Sequence, residues 1–153
     1  MGLSYEDLEV GKTYDVGSHV FSRDEIVRFA SEFDPQPFHL NDEAAAASIF
    51  GGLAASGWHT CSVMMGLFAR NMLNGSTAMG SPGIDEIRWY KPVLVGDTIT
   101  MTTTIVGKRV SASKPDRGIV DIQWDGVNQR GEKAVTVRTK VLFGLRDPGS
   151  AAA

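Results

Sequence analysis

Residues 33–39 read Phe33-Asp34-Pro35-Gln36-Pro37-Phe38-His39, with a carboxylic acid near one end and an imidazole at the other. Those two side-chain types exchange protons near neutral pH, so a stretch that holds both is a candidate for general acid–base chemistry. Asp34 and Gln36 each precede a proline, which removes a backbone donor, fixes φ and pushes the residue before it toward extended conformations. The spacing therefore predicts a stiffened loop that is neither helix nor central strand. Stiffness limits how far two reacting groups drift apart, and rigidly held loops often carry function. A polar turn that merely ends a helix has the same composition, and these residues alone leave both readings open.

The flanking elements must do the positioning. Ser22-Arg23-Asp24-Glu25 has the form of a capping box, with Phe21 and Ile26 placed as a hydrophobic staple. Ile26, Phe29, Ala30 and Phe33 then recur at helical spacing, so a helix delivers Asp34 just past its end. After His39, Asn41 can cap a second helix over 42–50, with Asp42 and Glu43 in its first turn and Gly51-Gly52 as its stop. Ser56 is placed as N-cap of a third helix over 57–73, about 25 Å long at 1.5 Å per residue. Its apolar residues point in most directions, the pattern of a helix buried nearly all round. Gly57 puts a backbone N–H at that helix start, where donors are unpaired and the dipole favours negative charge. A glycine there admits close approach of a ligand oxygen, or simply a tight helix entry.

A curved sheet would bury such a helix. Loose alternation over 12–21 suggests a first strand, and strand-like patterns follow at 84–90, 98–106, 119–124 and 135–143, the last after a hairpin-like 128–131. Consecutive strands with short links predict an antiparallel meander, so the class is α+β, with about five strands wrapped around one long buried helix.

The bulk numbers narrow the function. The chain has 153 residues, long enough for a real core, and divides into one domain over 1–147 and a tail over 148–153 that reads as disordered. Fifteen basic and eighteen acidic residues give a net charge of -3 with no basic run, which argues against a nucleic-acid partner. The one cysteine, Cys61, excludes an internal disulfide framework and suits a reducing cytoplasm. No signal peptide is evident at the N-terminus, and His59, Arg70 and Asn71 interrupt the most apolar stretch, so neither export nor a membrane span is expected. His19, His39 and His59 lie twenty residues apart, without a helical histidine pair or a cysteine cluster, and no metal site is expected. No glycine-rich phosphate loop occurs. His59 and Cys61 sit in an apolar helix and read as packing residues.

The stretch Asp34-Pro35-Gln36-Pro37-Phe38-His39 resembles the D-x-N-P-x-H signature of MaoC-like hydratases, the (R)-specific enoyl-CoA hydratases of the hotdog fold. Ala45, the segment Phe50-Gly51-Gly52-Leu53-Ala54-Ala55-Ser56-Gly57 and the turn segment Tyr90-Lys91-Pro92-Val93-Leu94-Val95-Gly96-Asp97 fit the same family. Gln36 stands where that signature usually has Asn, the same amide on a longer arm.

The resemblance implies hydration of a 2-enoyl-CoA to an (R)-3-hydroxyacyl-CoA, or the reverse, with Asp34 and His39 dividing the roles of base and acid. Gly57, with Gln36 and Ser56, would form the oxyanion and substrate-binding side. It implies no cofactor beyond the thioester substrate, carried on coenzyme A or on an acyl carrier protein, a place in fatty acid metabolism, and a homodimer or an assembly of dimers. Burial beside Phe33 and Phe38 would raise the Asp34 pKa, and a neighbouring imidazolium would lower it. Two alternatives remain. A hotdog thioesterase commonly takes an acid from its central helix, and 57–73 contains none. A non-catalytic thioester-binding module would have no use for an intact Asp34/His39 pair.

Overall fold

In the computed structural model, which describes residues 2–148, a 3₁₀ turn at Tyr5–Asp7 precedes the first strand, β1 (Thr13–Val20). Ser22 then caps α1 (Arg23–Phe33): its hydroxyl accepts from the Glu25 N–H at 3.2 Å. Phe21 and Ile26 are fully buried in one cluster, as a staple requires. The Glu25 carboxylate turns back to this cap: it accepts from the Ser22 hydroxyl at 3.1 Å and contacts the His19 ring at 2.6 Å.

Asp34 is the C-cap of α1, but the stretch behind it is not all loop. Pro37 begins one helical turn, α2 (Pro37–Leu40). A proline that bars a helix interior is tolerated at the first position, where its missing N–H has no intrahelical partner anyway. The second expected helix is shorter than 42–50: α3 (Asp42–Ala46), whose first turn bonds the Asn41 side chain at 3.0 Å, gives way to turns over 47–52. The third is as long as expected, because α4 (Gly57–Phe68) continues through a π-helical turn at Ala69–Leu73.

Four more strands follow: β2 (Gly83–Trp89), β3 (Thr98–Val110), β4 (Arg117–Val127) and β5 (Lys133–Gly144). They join β1 in one five-stranded antiparallel sheet, order β1-β3-β4-β5-β2. The hotdog arrangement expected of the sequence is present, but only β3, β4 and β5 form a meander. β2 pairs with β5, with Trp89 opposite Val135, so the 90–97 link carries the chain across the sheet to β3. The link starts on β5, where the Tyr90 N–H donates to the Ala134 carbonyl at 2.8 Å, and then leaves the sheet: the Ala55 N–H donates to the Val93 carbonyl at 2.8 Å, and Ala54 bridges Leu94. It is thereby laid against the segment that leads into α4.

Met64, Phe68 and Met72 of the long helix pack on Met101, Ile105, Ile122 and Phe143 of the sheet. The helix is not buried on every side. Trp58 and Met65 remain 58% and 42% exposed, because one curved sheet covers only part of a helix. No helix among the described residues is long and apolar enough to cross a membrane. The tail expected to be disordered falls, from 149 on, outside the described residues.

The Ser22 cap fixes where α1 begins, and α1 carries Asp34 at its other end. Ser22→Ala is expected to lower stability by about 1 kcal/mol in urea unfolding, with the slope against urea unchanged.

Candidate active site

Three groups hold the acid and the imidazole, which also touch each other. The Asp34 Oδ2 accepts from the Ser56 hydroxyl at 2.7 Å, and Oδ1 accepts from the Gln36 amide at 2.6 Å. His39 is 5% exposed, with Nδ1 lying 2.7 Å from the Ala54 carbonyl and Nε2 3.3 Å from Asp34 Oδ2. A carbonyl only accepts, so Nδ1 carries a proton. A neutral ring would then turn a bare lone pair toward a carboxylate, and the second contact is attractive only if a proton lies in it. Burial pushes the Asp34 carboxyl up, but the bonds from Ser56 and Gln36 and the charge on His39 outweigh it and hold the group below its ordinary value. That settles the competition the sequence leaves open.

Ser56 does not do what its position predicts. Its side chain makes no cap bond to α4; fully buried, it serves Asp34 instead. A hydrogen bond to an ionised carboxylate is roughly twice as strong as one to a neutral partner, which explains the choice. The first N–H groups of α4 are left without a side-chain cap. Gly57 opens that helix under the Trp89 indole, which donates to the Gly57 carbonyl at 3.2 Å. A Cβ at position 57 would lie 2.5 Å from the Trp89 ring, so glycine is required there by the tryptophan.

Asp34, Gln36, His39 and Gly57 all line one cleft of about 520 Å³, together with Phe38, Phe50, Trp58 and Trp89. The structure therefore brings four of the five expected site residues to one surface and sets the fifth, Ser56, behind it. From the sequence Trp89 reads only as a strand residue and Ile49 as part of a helix end, so neither marks itself as a site residue. Two adjacent aromatics before Pro92 were the only local sign, because β2–β5 pairing is what brings them here. A polar end that can move a proton and walls of aromatic carbon suit an apolar chain attached to a reactive polar group.

Residues 7–128 match a family model described as MaoC like domain. A crystal structure of the MaoC-like dehydratase from Rhodospirillum rubrum is 44% identical with a TM-score of 0.88, covering 95% of this chain and 99% of that one. The (R)-hydratase from A. caviae involved in PHA biosynthesis is 28% identical with a TM-score of 0.67, covering 89% and 97%. Mesaconyl-CoA hydratase of Cereibacter sphaeroides is 32% identical over 75 residues, which are 49% of this chain and 22% of that longer protein.

Outside the cleft, three elements converge on one carboxylate. Glu25 Oε1 lies 2.6 Å from Nε2 of His19 and 3.4 Å from Nε2 of His59, and Phe29 stacks on the His59 ring at 4.8 Å. His59 is a core residue, as expected, yet its buried Nδ1 has no hydrogen-bond partner. Burial, against the pull of the Glu25 carboxylate, holds the His59 ring below its ordinary value, with His19 and Arg28 pushing the same way as burial. Cys61 is half-buried, and burial pushes its thiol up to about 11, which leaves it unreactive at neutral pH.

A histidine whose folded pKa is depressed binds fewer protons folded than unfolded, so stability rises with pH across the interval between the two values. His59 should therefore contribute a loss of stability as pH falls below its ordinary 6.5. Urea midpoints at about pH 7.5 and about pH 5.5 should fall more for the wild type than for His59→Gln. An equal fall in both would show that His59 takes no part.

Proposed function

The chain belongs to the MaoC-like domain family, and from that premise we propose that it adds water to the double bond of a 2-enoyl thioester, giving the (R)-3-hydroxyacyl thioester, or runs the reverse dehydration. The observation that carries the reading is the Asp34–His39 pair, 3.3 Å apart at the wall of an apolar cleft beside an uncapped helix start. The relatives named hydratase and dehydratase support it at the level of reaction class.

In this reading the thioester oxygen lies at the Gly57 N–H, where the helix start favours developing negative charge. Asp34 removes a proton from water as the oxygen bonds to C3, and the electron pair of the double bond moves to give the enolate. His39 then delivers its Nε2 proton to C2. Asp34 now holds the proton and His39 is neutral; return of that proton from the carboxyl to Nε2 restores the starting arrangement, so the pair ends with one proton, as it began. No cofactor is required for these steps. The thioester carrier is coenzyme A or an acyl carrier protein, residues 1–147 are the catalytic domain, and a chain with one cysteine suits the cytoplasm.

We place the working unit as a homodimer. β2 is an edge strand, and apolar residues beside it are open to solvent: Ile84 is 54% and Trp89 47% exposed, with Trp58 and Met65 on the neighbouring helix. An edge strand with unpaired backbone and exposed apolar side chains favours pairing with another chain. Trp58 and Trp89 also line the cleft, so a second copy would finish its wall.

Two measurements test this function. Added to crotonyl-CoA or a longer 2-enoyl-CoA, the protein should remove the conjugated-enoyl absorbance, and Asp34→Asn or His39→Ala should each slow that loss by about 10²- to 10⁴-fold with thermal melting unchanged. Free thiol released in place of hydration would mark a thioesterase, and no turnover would mark a binding module. By light scattering the wild type should have about twice the 16.5 kDa of one chain, and Met65→Arg should return it to one.

A further inference from the structure

The two oxygens of Asp34 are not equivalent. Oδ2 meets Ser56 at 2.7 Å and His39 at 3.3 Å, which occupies both of its lone pairs. Oδ1 has one donor, the Gln36 amide at 2.6 Å, and one lone pair left. A water molecule that gives a proton to Asp34 must give it to Oδ1. Gln36 lies on the cleft wall, where that water would sit. As N-cap of α2 its side chain makes no cap bond, so the carboxylate is the partner it has taken.

We propose that Gln36 is a positioning residue for the hydration, fixing the plane of the Asp34 carboxylate and sharing Oδ1 with the incoming water. The catalytic half rests on the hydratase reading; the hydrogen-bond half stands on the geometry alone. The backbone around it is clamped: the Gln36 N–H donates to the Asp34 carbonyl at 2.8 Å, and the His39 N–H donates to the Gln36 carbonyl at 3.0 Å. With both ends held, an asparagine at 36 would be shorter by one carbon–carbon bond, about 1.5 Å, and would reach less far toward Oδ1. The longer arm is therefore what makes the contact.

A donor on the ionised form makes that form easier to keep and its oxygen a weaker base. Gln36 thus exchanges base strength for a carboxylate that stays ionised to lower pH and keeps one orientation. The sign of each effect follows. Gln36→Met keeps the length and removes the donor, so Asp34 should titrate at higher pH and the acid limb of kcat/KM should move up with it. The plateau should not show the roughly 100-fold fall that a misplacement near 1 Å brings. Gln36→Asn should shift the limb in the same direction.

The test is a ¹³C carboxyl titration by NMR of the wild type, Gln36→Met and Gln36→Asn, with the Asp34 signal identified by its loss in Asp34→Asn, followed by pH–rate profiles on crotonyl-CoA. A higher Asp34 midpoint in both Gln36 variants, with a raised acid limb and a plateau within about tenfold of wild type, is the expected result. An unchanged midpoint in both overturns the inference, as does an unmoved limb with a roughly 100-fold lower plateau. A wild type that hydrates no enoyl-CoA overturns the hydratase reading instead, and the NMR midpoints then decide the Gln36–Asp34 bond by themselves.

Discussion

The hydrogen bond from the Ser56 hydroxyl to Asp34 Oδ2, 2.7 Å long, joins the end of α1 to the start of α4. The rest of the site depends on that junction. It brings an acid that follows one helix within reach of the unpaired donors that begin another, and it uses up the hydroxyl that would otherwise have capped them. Because the bond is to an ionised group in a half-buried setting, it is strong and directional. The same bond helps keep Asp34 ionised, so position and protonation state are fixed together.

A second tie supports the first. Glu25 lies in the first turn of α1 and reaches His59 in the first turn of α4, while also holding His19 of β1. With Phe29 stacked on His59, the two helices are pinned both near the cleft and further along α1. One carboxylate contacts two imidazoles and the Ser22 hydroxyl, so a single residue joins helix capping to tertiary packing.

The sheet supplies what the helices cannot. Carrying the chain from β2 to β3 by way of the 90–97 link lays Val93 beside Ala55 and brings Trp89 over Gly57. The cleft wall is thus built from residues far apart in sequence, held by β-ladder hydrogen bonds on one side and by the helix lead-in on the other. The same topology leaves β2 at an edge and one face of α4 in solvent.

Some of this was legible in the sequence because it is local. The capping pattern at Ser22, the proline stop after Phe33, the Asn41 cap and the long apolar run from Gly57 each follow from neighbours within about a turn of chain. They were enough to yield the α+β class, the central helix and the Asp34–His39 stretch. Local rules also misled where a tertiary partner outbid them. Ser56 faces Asp34, twenty-two residues away, rather than its own helix. Pro37 starts a helical turn where prolines suggested only loop, and β2 joins β5 rather than β3. Which carboxylate oxygen meets Ser56, which ring nitrogen meets the Ala54 carbonyl and why position 57 has no side chain depend on distances between distant segments. Only the folded chain sets those distances.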